Sequence, residues 1–234
     1  MTEFRPGGFQ VLPVIVKNLL IINGLVYLAQ TVLGNNSSFS IENYFALHDV
    51  RSIYFRPHQI VSYLFLHGSF FHLFFNMFAL WMFGNVLENY WGPKRFLIFY
   101  LLCGIGAGLL HLGVLYYENN AVLEALKSYP VEEQKEIFKN PNFLLNTATL
   151  GASGSVFGCL AAFGYLFPNS LIYLYFFLPI KAKWFVIIYA AMELFAGVRN
   201  SAGDEVAHWA HLGGALVGFL LVLYWNKTNR RKFY

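Results

Sequence analysis

GASG at 151–154 and AHWAHLGG at 207–214 each open an apolar segment long enough to form a helix in a membrane. The first motif places Ser153 among small residues, and the second places His211 near the start of its segment. A serine hydroxyl beside an imidazole is the minimum arrangement that activates a hydroxyl nucleophile. The two motifs therefore predict a fold in which two membrane helices bring Ser153 and His211 together.

The composition favours a membrane protein over a soluble one. Hydrophobic residues make up 57% of the 234 residues and charged residues only 12%, whereas a soluble domain carries about 25% charged residues. The net charge of +4 comes from residues at segment ends, which indicates orientation in a membrane rather than nucleic-acid binding. Cys103 and Cys159 both fall inside apolar segments, so we expect small buried residues and infer no disulfide framework.

The apolar segments predict an all-α fold, a polytopic membrane bundle of six transmembrane helices within one domain, 1–234. The predicted spans are 11–33, 59–88, 95–117, 147–167, 182–198 and 205–225. The stretch SLIYLYFFLP at 170–179 is also apolar, but it is short and Pro179 closes it. We interpret it as an interfacial segment rather than a seventh span.

Two long loops are predicted on the outer side of the membrane. The first is 34–58, and the second is an insertion at 118–146 that mixes glutamates with lysines. Pro130 predicts the start of a short helix at Val131, and we interpret the insertion as a solvated cap. With the N-terminus in the cytoplasm, ten lysines and arginines fall inside and six outside, which favours two cytoplasmic termini.

The depths of the two motif residues agree. Ser153 lies about 5 residues into its predicted span, or roughly 8 Å deep, and His211 lies about 6 residues, or roughly 9 Å, into its own. Small residues four apart let membrane helices approach closely, so the glycines around both motifs predict packing of the fourth and sixth spans. These glycines are Gly151, Gly154, Gly158, Gly214 and Gly218.

The second predicted span carries polar residues in the stretch HGSFFHLFFN, 67–76. His72 and Asn76 are four apart and share one helical face. Donors on that face could stabilise an oxyanion beside Ser153. The alternative is an ordinary hydrogen-bonded pair between helices.

A metal site is the alternative interpretation of the histidines. His67, His72, His208 and His211 offer four imidazoles, but the five-residue spacing of the first two is poor geometry for one site on a straight helix. No carboxylate or cysteine completes a recognised ligand pattern, so we expect no metal and no cofactor.

Two acidic residues accompany the predicted spans without an assigned catalytic role. Glu193 lies towards the outer half of the fifth span, and Glu88 is expected to close the cytoplasmic end electrostatically, near Lys94 and Arg95. Neither is close enough in the predicted topology to act as a triad acid. A two-residue dyad is the simplest assignment.

HGSFFHLFFN (67–76), GASGSVFG (151–158) and AHWAHLGGALVG (207–218), in this order across six spans, resemble the rhomboid family of intramembrane serine proteases. The resemblance covers nearly the whole chain. It implies that Ser153 is the nucleophile and His211 its general base. His58-Gln59 stands where the family often carries Trp-Arg, which leaves the packing of that loop undefined.

The resemblance also implies roles for neighbouring residues. His72 and Asn76 would stabilise the oxyanion together with the Ser153 N–H, Phe157 would stack on the catalytic imidazole, and His208 would shape the cavity. The implied partners are transmembrane protein substrates and the lipid bilayer, with no nucleic acid.

The location implied is a bacterial inner membrane, with the site opening to the outer side and the fifth span moving aside to admit substrate. A non-catalytic binder or chaperone of membrane helices is the alternative, and a transporter is disfavoured because no paired repeats are evident.

Overall fold

Glycine, proline and polar residues divide the apolar chain into helices. The structure, a computed structural model, describes residues 8–34, 40–174, 177–199 and 206–229. Within these ranges the helices are α1 (Val14–Gly34), α2 (Ile41–Phe45), α3 (Gln59–Ser62), α4 (Phe70–Ala79), α5 (Asn85–Trp91), α6 (Pro93–Glu118), α7 (Asn120–Leu126), α8 (Val131–Lys139), α9 (Ser153–Leu166), α10 (Ala182–Arg199) and α11 (His208–Asn229). Short 3-10 turns cover Tyr63–Phe65 and Leu144–Asn146, and a π-helical turn at Leu80–Gly84 joins α4 to α5.

The helical membrane bundle expected from the sequence is present. Four described helical segments are long and apolar enough to cross a membrane: α1, the α4–α5 unit at Phe70–Trp91, α6, and α11 over His208–Lys227. α9 is a shorter apolar helix of 14 residues. The chain is therefore an integral, multi-pass membrane protein, while the count of six spans stays a prediction.

The second span begins later than the sequence predicted. Instead of one helix from residue 59, the chain forms α3 and a 3-10 turn, leaves helical geometry after Phe65, and starts again at Phe70. Ser69 caps α4, because its Oγ accepts a hydrogen bond from the backbone N–H of His72 at 3.1 Å. His67 consequently lies in a loop outside the span, which corrects the predicted range 59–88.

The predicted interfacial segment is a β-hairpin. β1 (Leu171–Leu174) and β2 (Leu178–Lys181) are antiparallel, with Ile172 opposite Ile180. Ile172 is buried, whereas Leu171 and Tyr173 are exposed. The strand therefore turns one side chain into the bundle and presents its apolar neighbours outward.

The core lies where α6, α9 and α11 pack together. Its fully buried side chains include Phe96, Phe99, Tyr100, Cys103 and Cys159. Both cysteines are buried with free thiols. Ser155 of α9 donates a hydrogen bond to the Tyr100 carbonyl at 2.7 Å, so the central helices are joined by a polar contact as well as by apolar packing.

Glu88 has a different role from the one predicted. Its carboxylate accepts hydrogen bonds from the backbone N–H groups of Ile15 and Val16, at 2.9 and 2.8 Å. These are first-turn groups of α1 that lack acceptors within their own helix. Glu88 is 3% exposed, and it is a cap that fixes α1 to α5. Arg95, expected nearby, stacks on the Trp225 ring at 4.2 Å.

The loop predicted to be the first outer one is built around a buried glutamine. Gln59 is fully buried, and its Nε2 lies within hydrogen-bonding distance of three backbone carbonyl oxygens. Those oxygens belong to Asn43, Tyr44 and Tyr54, at 3.3, 3.2 and 2.8 Å. The His58 Nε2 also lies 2.9 Å from the Tyr44 carbonyl. The side chains of His58 and Gln59 therefore hold separate turns of this loop together through hydrogen bonds to the backbone.

Asn119, at the start of the insertion, is hydrogen-bonded to an ion pair in the loop before α3. Arg51 donates two side-chain hydrogen bonds to Asp49, at 2.9 and 2.8 Å, and Asn119 donates a third at 3.0 Å. Burial alone would raise the pKa of Asp49, but these hydrogen bonds outweigh it and hold that pKa below its usual value. This loop and the insertion are thus fixed to each other at the end of α6.

The insertion forms the helix that Pro130 predicted, since α8 begins directly after it. Exposed Lys–Glu pairs three residues apart lie at the end of α7 and along α8, with N–O distances of 2.7 to 3.0 Å. These pairs are Lys127–Glu124, Lys135–Glu132 and Lys139–Glu136. Their exposure agrees with the predicted solvated cap.

Candidate active site

The chain turns sharply just before α9, and this turn presents the serine. Gly151 has φ +131°, a conformation that residues with a side chain rarely adopt. Its N–H donates to the Tyr63 carbonyl at 3.0 Å. α9 then begins at Ser153, six residues later than the predicted span. The hydroxyl therefore stands at a helix N-terminus, where backbone N–H groups are free of intrahelical acceptors and the helix dipole favours negative charge.

Ser153 and His211 are in direct contact. The Oγ of Ser153 lies 2.9 Å from the Nε2 of His211, and both side chains are partly buried. His211 belongs to the first turn of α11, and its backbone N–H donates to the Ala207 carbonyl at 3.2 Å. The start of α9 therefore lies beside the start of α11, as the matching depths predicted.

Glycines set the distance between these two helices. A Cβ on Gly214 would overlap the carbonyl oxygen of Gly154, and one on Gly218 would lie 2.7 Å from the Cα of Gly158. Both contacts join residues 60 positions apart (214 − 154 and 218 − 158), so α9 and α11 run parallel. Four of the five predicted packing glycines form this glycine seam. Gly151 does not, since it precedes α9 and faces His72.

An aromatic ring supports the imidazole. The ring of Phe157, one turn along α9 from Ser153, stacks on His211 with centroids 4.3 Å apart and planes inclined by 9°. Its other neighbour is Tyr189 of α10, at 5.5 Å. This stacking restricts rotation of the imidazole, so that Nε2 stays directed at the serine.

His72 lies against the turn that presents Ser153. A Cβ on Gly151 would sit 2.8 Å from both Cε1 and Nε2 of the His72 ring, so only glycine leaves room for it. Asn76 follows one turn later on α4 and is 7% exposed. The structure brings the His72 ring next to the backbone of the 151–153 turn. Asn76 is buried on the same helix as His72.

Glu193 makes contacts that the sequence did not predict. Its Oε2 lies 2.9 Å from the Nδ1 of His211 and 2.6 Å from the Nδ1 of His208. The side chains of the three residues are 12 to 14% exposed. Contrary to the prediction, an acidic residue of α10 therefore reaches the histidine that contacts Ser153, and the contacts run Ser153–His211–Glu193.

Comparison with known families identifies the family of this chain. A family model for the rhomboid domain matches residues 54–227, well over half of the chain. The chain belongs to the rhomboid family. The matched range contains every residue of the candidate site, from His72 to His211.

Several curated rhomboids are similar to this one. Rhomboid protein 1, mitochondrial, of Saccharomyces cerevisiae is 31% identical over 174 residues, which are 74% of this chain and 43% of that protein. RHOMBOID-like protein 12, mitochondrial, of Arabidopsis thaliana is 29% identical over 94% of this chain and 60% of its own length. Rhomboid protease GluP of Bacillus subtilis is 27% identical over 69% of this chain and 24% of its own.

This rhomboid thus spans about half the length of the first two of these relatives. Those two are named mitochondrial, and the third comes from a bacterium. The predicted bacterial inner membrane therefore stays a prediction.

The histidines are grouped differently from the metal set considered from the sequence. In the described part of the chain, the three potential ligands that lie within 4.8 Å of one another are Glu193, His208 and His211. His67 is instead 1% exposed, packs edge-on against the His72 ring at 5.0 Å, and has no hydrogen-bond partner on either ring nitrogen within the described residues. Its burial, and secondarily the neighbouring His72, lower the pKa of His67 to about 3. His67 is therefore a neutral packing residue.

Proposed function

We propose that this rhomboid is an intramembrane serine endopeptidase, with Ser153 as nucleophile and His211 as general base. The observation that carries the proposal is the 2.9 Å contact between the Ser153 Oγ and the His211 Nε2. An imidazole nitrogen at that distance can accept the hydroxyl proton as the oxygen attacks. The family assignment, and relatives that are named rhomboid proteases, support the same activity.

The proposed reaction has two stages. In the first, Ser153 attacks the scissile carbonyl, His211 takes the hydroxyl proton, and the C–N bond breaks as His211 returns that proton to the leaving amine. In the second, water attacks the acyl-enzyme, gives its proton to His211, and releases the acid while the Ser153 hydroxyl is restored.

The proposed oxyanion site lies at the N-terminus of α9. The Ser153 N–H belongs to the first turn, which has no intrahelical acceptor and carries the positive end of the helix dipole. We assign the His72 side chain as a second donor, because its ring lies against Gly151. Asn76 is a third candidate on the same helix, by resemblance to the family.

The proposed substrate is a membrane protein whose helix unwinds locally near its outer end. A stable helix keeps its carbonyl groups hydrogen-bonded, so a scissile peptide has to leave helical geometry before attack. Hydrolysis also needs water, and the partly exposed side chains of His208, Glu193 and His211 fit a cavity that opens to solvent.

Both termini would lie in the cytoplasm, and 1–234 would act as one domain. Arg5 and the basic residues 230–232, part of the charge argument, lie outside the described residues.

The test is cleavage of a model transmembrane substrate by the purified protein in lipid vesicles. We expect Ser153→Ala and His211→Ala each to lower kcat by at least about 10³-fold, since a nucleophile and its base act as a unit. Ser155→Ala is the matched control, because it removes a hydroxyl two positions along α9 and spares the site. A fluorophosphonate should label wild type and Ser155→Ala, but not Ser153→Ala.

Two outcomes would reject the proposal. One is undiminished cleavage by the Ser153→Ala variant. The other is stable binding of the substrate without cleavage by wild type, which would instead support a non-catalytic binder of membrane helices.

A further inference from the structure

One carboxylate oxygen holds two imidazoles in this rhomboid. The Glu193 Oε2 lies 2.6 Å from the His208 Nδ1 and 2.9 Å from the His211 Nδ1. An ionised carboxylate offers only acceptors. Both ring nitrogens then donate, and each histidine carries a proton on Nδ1.

That proton decides which nitrogen of His211 can act as a base. A neutral imidazole has one N–H and one lone pair, so a proton on Nδ1 leaves the lone pair on Nε2, the atom 2.9 Å from the Ser153 hydroxyl. With the opposite tautomer, Nε2 would donate to the serine and could not take its proton. Proton transfer also leaves His211 positively charged, and the adjacent carboxylate stabilises that charge.

We propose that Glu193 is a positioning residue that makes the site a Ser153–His211–Glu193 triad rather than a dyad. The proposal rests on the proposed function, because it assigns to Glu193 the orientation of the base in that reaction. His208, the first residue of α11, helps to hold the Glu193 carboxylate in place through its 2.6 Å contact. Phe157 fixes the plane of the His211 ring, and Glu193 fixes its tautomer and its rotation within that plane.

A bound metal explains the same three residues less well. Ligands about 2.0 to 2.1 Å from a tetrahedral zinc ion stand roughly 3.3 Å from one another, whereas the oxygen here lies 2.6 and 2.9 Å from the two nitrogens. Those are hydrogen-bond distances. Metal on Nδ1 of His211 would also displace the proton that leaves Nε2 free to accept.

The experiment measures kcat and KM separately for variants of the full chain in lipid vesicles. We expect Glu193→Ala to lower kcat by about 100-fold or more with KM changed less than about threefold, because orientation of the base matters after binding. Glu193→Gln keeps an acceptor oxygen without the charge, and its kcat should be about tenfold higher than that of Glu193→Ala. Met192→Leu is the matched control on α10, since Met192 is 58% exposed and adjacent in sequence; it should behave as wild type.

A second measurement separates positioning from folding. Formate or acetate added to Glu193→Ala should raise kcat, because a small carboxylate can enter the space left beside the His211 Nδ1. A role limited to joining α10 to α11 predicts a lower Tm with no recovery by carboxylate or by Glu193→Gln, and that result would overturn the triad. So would a Glu193→Ala kcat within about twofold of wild type.

The proposed function is tested independently of the triad. If Ser153→Ala and His211→Ala are inactive while Glu193→Ala is fully active, the dyad stands and only the triad fails. If Ser153→Ala still cleaves, the serine protease assignment itself fails.

Discussion

α11 packs against both α9 and α10, and these two interfaces are built differently. Main-chain atoms limit how closely α11 approaches α9. A Cβ on Gly214 would overlap the Gly154 carbonyl oxygen, and one on Gly218 would meet the Gly158 backbone. Main-chain atoms cannot rotate away. The glycine seam therefore fixes the distance between the helices that carry Ser153 and His211.

The nearest contacts of α10 with α9 and α11 are mainly with side-chain atoms. A Cβ on Gly197 would meet the Cβ of His208 and the ring of Trp209 at 3.3 Å, and one on Gly164 of α9 would meet a methyl of Val186 at 2.6 Å. The outer surface of α10 carries large exposed apolar residues such as Phe195, which is 69% exposed. Side-chain atoms beyond Cβ can move by a rotamer change, so the contacts with Trp209 and Val186 can adjust where the glycine seam cannot.

The difference separates two parts of the proposed chemistry. The Ser153–His211 contact joins α9 and α11, whose separation is fixed by main-chain contacts. Glu193 instead reaches His211 from α10, whose side-chain contacts can adjust. Movement of α10 to admit a substrate would leave the serine and histidine in place and change the position of the carboxylate. Substitutions in the two interfaces test whether they differ in this way.

Of the substitutions between helices, the one in the glycine seam is expected to have the largest effect. Gly214→Ala forces α9 and α11 apart, because the added methyl would occupy the space of the Gly154 carbonyl oxygen. We expect kcat to fall at least about 100-fold, since proton transfer needs the Oγ–Nε2 distance to stay near 3 Å. Overpacking should also destabilise the protein by about 1–3 kcal/mol. Cleavage assays and thermal unfolding in detergent measure both effects.

The control is Gly113→Ala in α6, where an added Cβ meets nothing within 4 Å. Alanine is the better helix former by about 0.5–1 kcal/mol, so this variant should be active and slightly more stable. A Gly214→Ala variant with more than half the wild-type kcat would show that the glycine seam does not set the catalytic distance.

The pairing of Ser153 with His211 was predictable because each motif starts a helix. Two residues near the same end of two membrane helices have similar depth, and the glycines beside them predict close approach. The same argument places Glu193 at a similar depth, because it lies six residues before Arg199, the end of α10. The direction in which a helix turns its side chains depends on packing, and the sequence alone did not show that Glu193 faces α11.

The errors in element boundaries have local causes. The apolar residues on both sides of Gly68-Ser69 suggested one long second span, although Ser69 three residues before His72 is a recognisable N-cap. The hairpin strands show no alternation of apolar and polar residues, because Leu171 and Ile172, on opposite faces of β1, are both apolar. Strand pairing there depends on contacts with the bundle, as the burial of Ile172 indicates.

A smaller effect is expected at Phe157, which lies between the two interfaces. Its ring stacks on His211 of α11 and also meets Tyr189 of α10. A stacked aromatic pair contributes about 0.5–1.5 kcal/mol, so Phe157→Leu should lower kcat by up to about tenfold with a small change in KM.

Phe163→Leu provides the comparison on the same helix, because Phe163 packs on Phe83 at 5.2 Å. It should lower Tm as much as Phe157→Leu does and leave kcat unchanged. Equal effects of the two variants on kcat would mean that Phe157 acts only through stability, without orienting the imidazole.

The smallest effect is expected where α9 meets α10. Gly164→Ala places a methyl against a side-chain carbon of Val186, which can move aside, so we expect a loss of about 1 kcal/mol in stability and about a twofold change in kcat. Shortening the neighbour in the double variant Gly164→Ala/Val186→Ala should restore most of the lost stability, because residues in contact are energetically coupled. Unfolding measurements on the two single variants and the double variant give the coupling energy. If Gly164→Ala is as damaging as Gly214→Ala and the double variant brings no recovery, then α10 is held as rigidly as α9, and Glu193 would be as fixed in place as Ser153.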